Sequence, residues 1–474
     1  MSVYDLDIRT DPVRLHRMID DASTRPFWLD RPDRPAAAEP LPGPTDTGLL
    51  VVGGGYCGLW TALLAKREDP GRDVLLLEGR RIGWAASGRN GGFAEASLSH
   101  GEVNGGRRFA ADLETIRRLG AENFAGFAAD IRDLGLDVEW EQGGTLAVAV
   151  EPHQVEALRA AAGEGSAGSA RFLEGEALAD YTRSPVVRAA LLETEGEALV
   201  HPGRLAAELA RACREFGVRI HEHSPVRRIR DAGTAVHALT DTGTVRARSV
   251  VLATNGFPAL LKRTRLLTVP IYDYAMVTEP LGAEQLAAIG WRGRHGWTDL
   301  GRQFHYARKS ADDRILWGGF DAVYHRGGRV RPEHDQREET FLRLADHFVR
   351  TFPQLGDVRF SHRWGGMIDM SSRLVAFHGT ALGGRVAYSA GFTGLGVVAT
   401  RFAAAVMLDL LAGRRTERTE SALVRGRSLP IPPEPIAYPA VQLVRAAVAR
   451  SDRDGGRDGP LLRLAERLGY SFDS

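Results

Sequence analysis

The sequence predicts an α/β protein in which a doubly wound domain is interleaved with an α+β domain built on a mixed sheet. The 474 residues exceed what one compact core usually holds, so two domains are expected. From Leu49 the pattern runs strand, glycine turn, helix and strand, which is typical of a βαβ unit. A strand and another glycine-rich turn return near Gly391 after a long middle section, so both domains should be discontinuous.

The charges of the chain nearly cancel. The formal net charge is +1, so no broad field is available to hold nucleic acid or an anionic membrane. The partners are therefore expected to be small molecules, with no nucleic acid and no membrane among them.

Cysteine usage and the N-terminus suggest the compartment. Only Cys57 and Cys213 are present, which excludes a disulfide framework and a zinc site of clustered thiolates, and no metal is predicted. The N-terminal segment carries charges throughout, unlike a signal peptide, and no stretch reaches the roughly 20 apolar residues of a membrane span. The protein is expected to be cytoplasmic.

The elements can be assigned in order along the chain. Residues 1–44 have no strong period and end in AAAEPLPGP, which predicts a leader strapped over the surface. The first unit comprises a strand at 49–52, a helix from about 59 to 66 and a strand at 74–78. The middle of the chain is predicted to form a helical section over 107–134, a strand at 145–150 and a helix opened by His-Pro-Gly at 201–203 and running to about 216. Strands at 218–221 and 250–254 follow, and then alternating strands and turns from 270 to 348. The last elements are a strand at 387–390, an apolar helix ending near 412, and helices at 440–450 and 460–468 in a surface tail.

This order predicts a division of the chain. The predicted parts are an N-terminal leader at 1–44, a doubly wound first domain at 45–105, 195–262 and 360–413, a second domain at 106–194 and 263–359, and a C-terminal tail at 414–474.

Three glycines after the first strand have the spacing G-x-G-x-x-G. A side chain at Gly53 or Gly55 would block a pyrophosphate, and Gly58 lies in the helix whose N-terminus would face the phosphates. Glu78 ends the second strand, where a carboxylate accepts hydrogen bonds from a ribose diol. The combination predicts a dinucleotide site. Cys57, inside the turn, is interpreted as a small packed residue rather than a redox group.

A second glycine run distinguishes a flavin-binding site from a nicotinamide-binding site. AASGRNGGF, residues 85–93, follows the second strand and places Ser87, Arg89 and Asn90 among three glycines. So many small residues beside a dinucleotide site indicate backbone lying close to a flat ring.

Several segments together resemble a known family. Between Leu49 and Gly413 the chain contains, in this order, VVGGGYCGLWTA, LEGRRIGWAASGRNGGF, HPGRL, VVLATNGF and AYSAGFTGLGV. They resemble the D-amino-acid oxidase and sarcosine oxidase family (DAO) of FAD-dependent enzymes. Within it, ASGRNGG is similar to the gamma-glutamylputrescine oxidase branch, and PFWLDRP before the first strand is similar to leaders of that branch and of aminophosphonate oxidoreductases.

The resemblance implies that the first domain is a Rossmann-like FAD-binding domain and that the second is the substrate domain. It also implies a set of FAD contacts. The first glycine turn would hold the pyrophosphate, Glu78 the ribose, and residues 87–92 the ribityl chain and the edge of the flavin ring. Val226 would contact adenine, Thr254 and Asn255 would approach the pyrophosphate from its second side, and the last glycine turn would wrap the pyrimidine end of the ring. The implied FAD-contacting residues are Gly53, Gly54, Gly55, Tyr56, Cys57, Gly58, Glu78, Gly79, Ser87, Gly88, Arg89, Asn90, Gly91, Gly92, Val226, Thr254, Asn255, Gly391, Gly394, Leu395, Gly396 and Val397.

Three departures from the family's patterns narrow the chemistry. Neither Cys57 nor Cys213 is placed to bond the ring, so non-covalent FAD is expected. Ile368 stands where amino-acid oxidases of the family carry an arginine for the substrate carboxylate, so an amine is favoured over a free α-amino acid. The strand at 314–320 lacks the lysine that sarcosine oxidases place near the flavin, and Lys309, in a predicted hairpin turn, is expected to be exposed.

The resemblance also implies that the strands IYDYAM and FHYAR face the flavin. With the tryptophan of RWGGMID they supply the candidates for a catalytic pocket, which are Tyr272, Tyr274, His305, Tyr306 and Trp364. His305 is the foremost, because a neutral imidazole accepts a proton from an ammonium substrate near neutral pH.

The predicted function is FAD-dependent oxidation of the C–N bond of a small primary or secondary amine to an imine, which is hydrolysed to a carbonyl product. Oxygen or another electron acceptor would complete the cycle. One alternative is a flavin-dependent monooxygenase or tailoring oxidase of a biosynthetic pathway, although only one complete dinucleotide motif is present for the NAD(P)H that it would need. Another is a flavin-holding subunit of a larger dehydrogenase complex, and a nicotinamide dehydrogenase leaves the later glycine runs unexplained.

Overall fold

The structure is a computed structural model that describes residues 3–164 and 170–470. The strands are β1 Thr45–Val52, β2 Val74–Leu77, β3 Phe93–Glu95, β4 Thr145–Ala149, β5 Ala170–Leu173, β6 Ala189–Glu193, β7 Glu197–Leu199, β8 Arg219–His221, β9 Arg228–Asp231, β10 Val236–Leu239, β11 Thr244–Leu252, β12 Thr268–Thr278, β13 Gly296–Asp299, β14 His305–Lys309, β15 Ile315–Gly319, β16 Phe360–Ser371, β17 Phe377–Ala381 and β18 Val386–Ala390. The helices are α1 Pro12–Ile19, α2 Tyr56–Glu68, α3 Gly101–Phe109, α4 Leu113–Asp133, α5 Pro152–Glu164, α6 Glu176–Ala179, α7 Pro202–Glu215, α8 Ala283–Ala288, α9 Glu338–Thr351, α10 Ala399–Leu411, α11 Glu417–Glu420, α12 Ala422–Arg425, α13 Ala437–Arg453 and α14 Pro460–Arg467. Among the described residues, no helix is both long enough and apolar enough to cross a bilayer.

The first sheet carries the first glycine turn. Its strand order is β17-β18-β11-β1-β2-β8, and β9 and β10 extend it beside β11. The strands from β18 to β8 run parallel, so their carboxyl ends, and the turns that follow them, meet at one edge. Leu49 and Val51 face α2, α7 and α10, whereas Leu50 and Val52 face the opposite layer, which explains the unbroken apolar run of β1.

The second sheet has the order β16-β12-β15-β14-β13-β4-β6-β5 and is mixed, because β13 runs parallel to β4 while the other pairs are antiparallel. One face packs on α9 through residues such as Trp317 and Phe348. The opposite face looks towards the first sheet. The predicted α/β class with a second, mixed sheet is confirmed.

Two elements lie on the other side of the predicted domain boundaries. The sequence predicts that the FAD-binding domain resumes at 360, but β16 pairs along nearly its whole length with β12 in the second sheet. It also predicts that residues 106–194 belong to the substrate domain, but Phe124 and Phe127 of α4 pack in the core of the first sheet. Local patterns predict an element and not its tertiary neighbour. The domain division as a whole stays a prediction.

The N-terminal leader contributes to the core instead of only crossing the surface. Leu15 and Ile19 of α1 are buried against α9, and the Tyr4 hydroxyl lies 2.7 Å from Thr351 Oγ1. Trp28 is 1% exposed and packs beside the second sheet. The leader therefore helps to fix the position of that sheet.

Candidate active site

A cavity of about 1890 Å³ lies between the two sheets. It exceeds the roughly 300–1,000 Å³ of a pocket for one small ligand, so it has room for an elongated cofactor beside a substrate. Its walls come from the turns after β1, β2 and β11, from the inner face of the second sheet and from the turn before α10. Val441 and Val444 of α13 also line it, with Leu468 after α14. The predicted surface tail is therefore part of the cavity wall.

The first glycine turn is fixed by close backbone packing. Gly53 has a φ of +112°, and a Cβ there would lie 2.4 Å from a carbonyl oxygen just after β11. A Cβ on Gly58 would lie 1.9 Å from the Gly53 carbonyl oxygen, so α2 packs directly on the turn. Gly55 precedes α2 without a side-chain cap, and the Tyr56 N–H donates to Ser87 Oγ at 3.0 Å. The positive end of α2 thus faces the cavity, where it would stabilise a pyrophosphate.

Glu78 lies at the end of β2 and is 7% exposed. Its carboxylate accepts hydrogen bonds from the backbone N–H of Gly54 at 2.6 Å and of Arg80 at 2.8 Å, and from Trp84 Nε1 at 3.0 Å. Burial raises the pKa of Glu78, while these hydrogen bonds oppose the rise. The carboxylate is held in one orientation beside the cavity, as a ribose-binding acid requires.

The second glycine run is an ordered turn rather than a flexible loop. Asn90 Nδ2 donates to the Ala86 carbonyl at 2.9 Å, and Asn90 Oδ1 accepts the Gly92 N–H at 2.8 Å. Arg89 Nη1 donates to Asp335 at 2.6 Å, across to the loop before α9. These contacts fix the backbone that the resemblance places along the flavin ring.

The C-terminal glycine turn is organised by the buried carboxylate of Asp369. It accepts the N–H groups of Gly391 and of Phe392, the latter at 3.1 Å. The Asn255 amide nitrogen, in the orientation that satisfies both groups, lies 2.5 Å and 2.6 Å from the two carboxylate oxygens. Burial raises the pKa of Asp369 to about 7 despite these donors. Asp369 therefore joins the turn after β11 to the turn before α10.

Most residues predicted to contact FAD line this cavity. They are Gly53, Gly55, Tyr56, Cys57, Glu78, Gly79, Ser87, Arg89, Asn90, Gly91, Gly92, Val226, Thr254, Asn255, Gly394, Leu395, Gly396 and Val397. Gly54, Gly58, Gly88 and Gly391 lie behind the wall, so direct FAD contacts are not supported for them. A Cβ at these four would come within 1.9 to 2.8 Å of neighbouring atoms, so close packing requires glycine there. The FAD contacts of the residues that line the cavity stay predictions.

The wall fits FAD on chemical grounds. The N-cap residues of α2 and α10, Gly55 and Val398, provide no side-chain cap, and of the α2 N–H groups that of Tyr56 donates to Ser87. The positive ends of these helices suit the pyrophosphate and the electron-accepting end of the ring. Glu78 supplies the acceptor for the ribose. A Cβ on Gly394 or Gly396 would have no neighbour closer than 3.9 Å, so the wall there is open to a flat group.

The inner face of the second sheet forms the opposite wall. Residues paired directly across antiparallel strands share a face, and Ile271, Asp273 and Ala275 of β12 pair with Ile368, Gly366 and Trp364 of β16. All six line the cavity. Ile368 therefore faces the cavity at the place where a carboxylate-binding arginine is absent.

Tyr306 and Asp273 form the polar pair of this wall. The Tyr306 hydroxyl donates to Asp273 Oδ2 at 2.7 Å. A Cβ on Gly91 would lie 3.1 Å from the Tyr306 ring, so the ring stands against the turn predicted to carry the flavin edge. Burial raises the pKa of Asp273 to about 6, and the Tyr306 hydrogen bond opposes the rise.

The structure separates the predicted pocket candidates into two groups. Tyr306, Trp364 and Tyr272 line the cavity, although the Tyr272 hydroxyl turns away to the Arg331 backbone. Tyr274 does not line it, because its hydroxyl donates to the His334 carbonyl at 2.8 Å behind the sheet.

His305 is also behind the sheet, and its prediction as the foremost pocket base is wrong. It is 0% exposed, with Nδ1 2.7 Å from Asp299 and Nε2 2.8 Å from His347 Nδ1. Neighbours along a strand point to opposite faces, so His305 turns away where Tyr306 turns in.

Lys309 is buried, contrary to the predicted exposure. It is the last residue of β14 and is 7% exposed. Its Nζ donates to the Arg292 carbonyl at 3.3 Å and lies 3.3 Å from Asp313. The strand runs further than the turn pattern predicts, so the side chain is covered.

Several cavity residues escape the sequence predictions. Asp273 is the middle residue of IYDYAM, and strand alternation from the tyrosines on either side could have placed it on the inner face. Glu95 and Glu197 also line the cavity, but β3 and β7 are too short for a pattern to identify them. Glu193, the last residue of β6, lines it as well. Among the described residues no cluster of histidine, cysteine or acidic side chains could hold a metal ion.

Comparison with known proteins adds to this geometry. A family model described as FAD dependent oxidoreductase, DAO, matches residues 49–410. The chain is similar to gamma-glutamylputrescine oxidoreductase of Escherichia coli (strain K12), with 32% identity over 382 residues, 77% of this chain and 83% of that protein. It is also similar to sarcosine oxidase subunit beta of Rhodobacter capsulatus, with 23% identity over 337 residues, 68% and 74% of the two chains. Among solved structures, glycine oxidase from Geobacillus kaustophilus has the same fold, with a TM-score of 0.65 and 19% identity over 78% of this chain and 96% of that one.

Proposed function

The chain belongs to the DAO family of FAD-dependent oxidoreductases, and from this we propose that it oxidises the C–N bond of a small primary or secondary amine to an imine. Hydrolysis would then release a carbonyl compound, with oxygen or another acceptor taking the electrons. We also propose that FAD is bound without a covalent link, and that the protein works in the cytoplasm.

The composition of the inner wall is the observation that carries this proposal. Opposite the flavin turns it presents Ile368, Ala275 and Trp364. Two carboxylates of the same strands line the cavity, and that of Asp369 already accepts backbone N–H groups, which leaves Asp273 to meet a ligand. A free α-amino acid carries a carboxylate as well as the amine, and a carboxylate pairs best with an arginine that donates two hydrogen bonds. Ile368 cannot form such a pair. An amine whose other end is neutral or remote fits this wall better.

Bound FAD would supply the chemistry by accepting a hydride from the carbon next to nitrogen. The protein then has to orient that carbon, exclude water and keep the nitrogen unprotonated. The aromatic ring of Trp364, held by its Nε1 hydrogen bond to the Arg89 carbonyl at 2.9 Å, is a rigid surface for orientation. The tail helices α13 and α14 line one side of the cavity and cover it from water there.

Neither cysteine is suited to a covalent flavin bond. Cys213 Sγ lies 3.3 Å from the Leu59 carbonyl inside the packing of α2 and α7. Cys57 is buried at the start of α2, and burial raises its thiol pKa, so the reactive thiolate is disfavoured.

An anaerobic titration tests the reaction. Purified holoenzyme is mixed with putrescine, N-acetylputrescine, 2-aminoethylphosphonate, sarcosine, glycine and D-alanine, and the flavin absorbance is followed. Rapid bleaching by one of the first three supports the proposal. Bleaching only by the amino acids contradicts the amine preference, and bleaching only by NADPH identifies a monooxygenase instead. A requirement for a partner chain before any amine bleaches the flavin would favour a subunit role, which the similarity to a sarcosine oxidase subunit makes worth testing.

Acid precipitation tests the mode of attachment. All FAD should appear in the supernatant of the native protein, and of Cys57→Ser and Cys213→Ser. Flavin that stays with the pellet in the native protein and is released in one variant would identify a covalent link.

A further inference from the structure

Asp273 is the titratable group of the inner wall that is placed to meet a substrate nitrogen. It lies in β12 directly opposite Gly366 of β16, and the Arg89 side chain passes over that glycine, where an added Cβ would lie 3.5 Å from it. Asp273 is only partly buried, because it lines the cavity, whereas Tyr272 and Tyr274 on either side are buried.

Tyr306 fixes the carboxylate beside the flavin turn. Its ring fills the gap between Gly91 on one side and Gly318 on the other, where added Cβ atoms would lie 3.1 Å and 2.7 Å from it. Its hydroxyl reaches Asp273 Oδ2 at 2.7 Å. One tyrosine therefore spans from the predicted flavin edge to the carboxylate, so Asp273 is about one ring length from that edge.

We propose that Asp273 binds the substrate ammonium and takes its proton, and that Tyr306 is the residue that positions the carboxylate. This inference rests on the proposed amine oxidation. The N–H bond of the ammonium breaks, the proton forms an O–H bond with a carboxylate oxygen, and the electron pair stays on nitrogen. No electron is transferred in this step.

Desolvation makes the proton transfer feasible. In water an alkylammonium holds its proton up to a pH of about 10, far above a carboxylic acid. Inside a closed cavity the charged forms of both groups lose hydration, which lowers the pKa of the ammonium and raises that of the acid. The neutral pair, amine and carboxylic acid, then becomes accessible, and the amine can react.

The charges that face Asp273 come from the elements packed against it. β14 contributes Tyr306, and β16 contributes Gly366 at the position paired with Asp273. The Arg89 side chain lies over Gly366, and its charge is paired with Asp335 at 2.6 Å. Asp321 acts from further away and is itself paired with arginines. Within residues 3–164 and 170–470 Asp273 forms no ion pair, so its carboxylate can accept a substrate ammonium.

The first test uses a cation that cannot be oxidised. tert-Butylamine has no hydrogen on the carbon bonded to nitrogen, so it reports binding alone, through the change in flavin absorbance of the holoenzyme. Its affinity for the native protein should rise about tenfold between pH 5 and pH 7, as Asp273 ionises near pH 6. Asp273→Asn should bind it at least tenfold more weakly at pH 7 and without that pH dependence, while tert-butanol should bind both proteins equally. Equal binding of tert-butylamine by the two proteins, or no binding by the native protein, overturns the proposal.

The second test measures the rate at which an amine bleaches the flavin. Asp273→Asn should lower the limiting rate about 100-fold, which is typical for loss of a general base, and Asp273→Glu should recover part of it. Tyr306→Phe should lower the rate about tenfold and shift the pH profile. A rate in Asp273→Asn within threefold of native overturns the base role. If no amine bleaches the native flavin, the proposed function fails. The tert-butylamine test still shows whether Asp273 binds an ammonium group.

A matched pair elsewhere in the protein serves as control. Tyr324 donates to Glu434 at 2.8 Å, another tyrosine–carboxylate pair, and neither residue lines the cavity. Tyr324→Phe and Glu434→Gln should leave tert-butylamine binding and its pH dependence unchanged. FAD content and melting temperature, measured for every variant, separate loss of the base from loss of the fold.

Discussion

Glu95 and Glu197 lie directly opposite each other in the antiparallel pair of β3 and β7, and both line the cavity. Like charges at opposed positions of a strand pair repel. Burial is the larger effect and the neighbouring carboxylates add to it, and together they raise the pKa of Glu95 to about 7 and of Glu197 to about 10. The folded protein therefore keeps protons that the unfolded chain loses above pH 4.5.

This pair should make the fold less stable as the pH rises. Because the folded state binds more protons than the unfolded one between pH 4.5 and 10, stability falls with pH through that window. Glu197→Gln removes the titrating group and should raise the melting temperature by about 2–5 °C at pH 8, with little change at pH 5. Calorimetry at both pH values measures this. Glu195→Gln, in the exposed turn beside β7, is the control, and equal effects of the two substitutions would contradict the argument.

Gly58 should tolerate no side chain. Its Cβ would lie 1.9 Å from the Gly53 carbonyl oxygen, and a backbone atom cannot move aside as a flexible side chain can. Gly58→Ala should therefore push α2 off the phosphate turn, with about 3 kcal/mol or more lost from the free energy of unfolding and at least tenfold from FAD affinity. Apoprotein reconstitution followed by flavin fluorescence measures the affinity.

Gly106→Ala is the matched control for that substitution. Gly106 lies inside helix α3, and a Cβ there has no neighbour within 4 Å. Helix propensity predicts a neutral or slightly stabilising effect of up to about 1 kcal/mol. Native FAD affinity in Gly58→Ala would show that the turn is less tightly packed than it is in the structure.

Arg308 should hold the flavin-facing turn from behind. It is 0% exposed, and its Nη1 donates to the Val200 carbonyl at 2.6 Å and to the carbonyls of Gly91 and Gly92 at 3.3 and 3.4 Å. Arg308→Met leaves these acceptors without their donor and should cost about 2–4 kcal/mol and release FAD about tenfold faster. Arg308→Lys should recover only part, since one ammonium cannot replace the planar donor set. Arg246→Met, at an exposed side chain of β11, should behave as native in flavin-release kinetics.

Local chemistry explains what the sequence could predict. The apolar run of β1, the spacing of Gly53, Gly55 and Gly58 and the acid at Glu78 are all dictated within about 30 residues, and the structure places the turn and the acid along one cavity. Contacts between elements that are far apart in the sequence could not be predicted from local patterns. The pairing of β16 with β12 and the closure of the cavity by α13 depend on tertiary packing, which no local period encodes.

On the inner wall, local pattern also fails to determine which of two neighbouring side chains faces the cavity. A strand pattern places His305 and Tyr306 on opposite faces but does not say which face meets the cavity. That choice is made by β13 and β15, which pair with β14 on either side. Since Thr298 and Gly318, the residues paired with Tyr306, both stand on the inner face, Tyr306 turns inwards and His305 turns outwards.

The network around His305 should therefore govern stability rather than catalysis. His347 Nε2 lies 2.9 Å from the Asp5 carbonyl, which can only accept, so this nitrogen must carry a proton. His347 Nδ1 then accepts from His305 Nε2 at 2.8 Å, and His305 Nδ1 lies 2.7 Å from Asp299. The two imidazoles therefore link Asp299 to the Asp5 backbone inside the core and away from the cavity.

His305→Phe tests this assignment. The ring can keep the stacking on Trp317 and Phe320, whose centroids lie 4.8 and 5.1 Å away. Asp299 loses its imidazole partner and keeps only two backbone N–H donors, those of Gly301 and of residue 305. The variant should lose about 2–4 kcal/mol from the free energy of unfolding. In the molecules that hold FAD, the rate of flavin reduction by an amine should stay within about threefold of the native rate. Thermal unfolding and anaerobic stopped-flow reduction measure the two quantities. If the variant melts like the native protein but its flavin is reduced by an amine 100-fold more slowly, His305 and not Asp273 is the base.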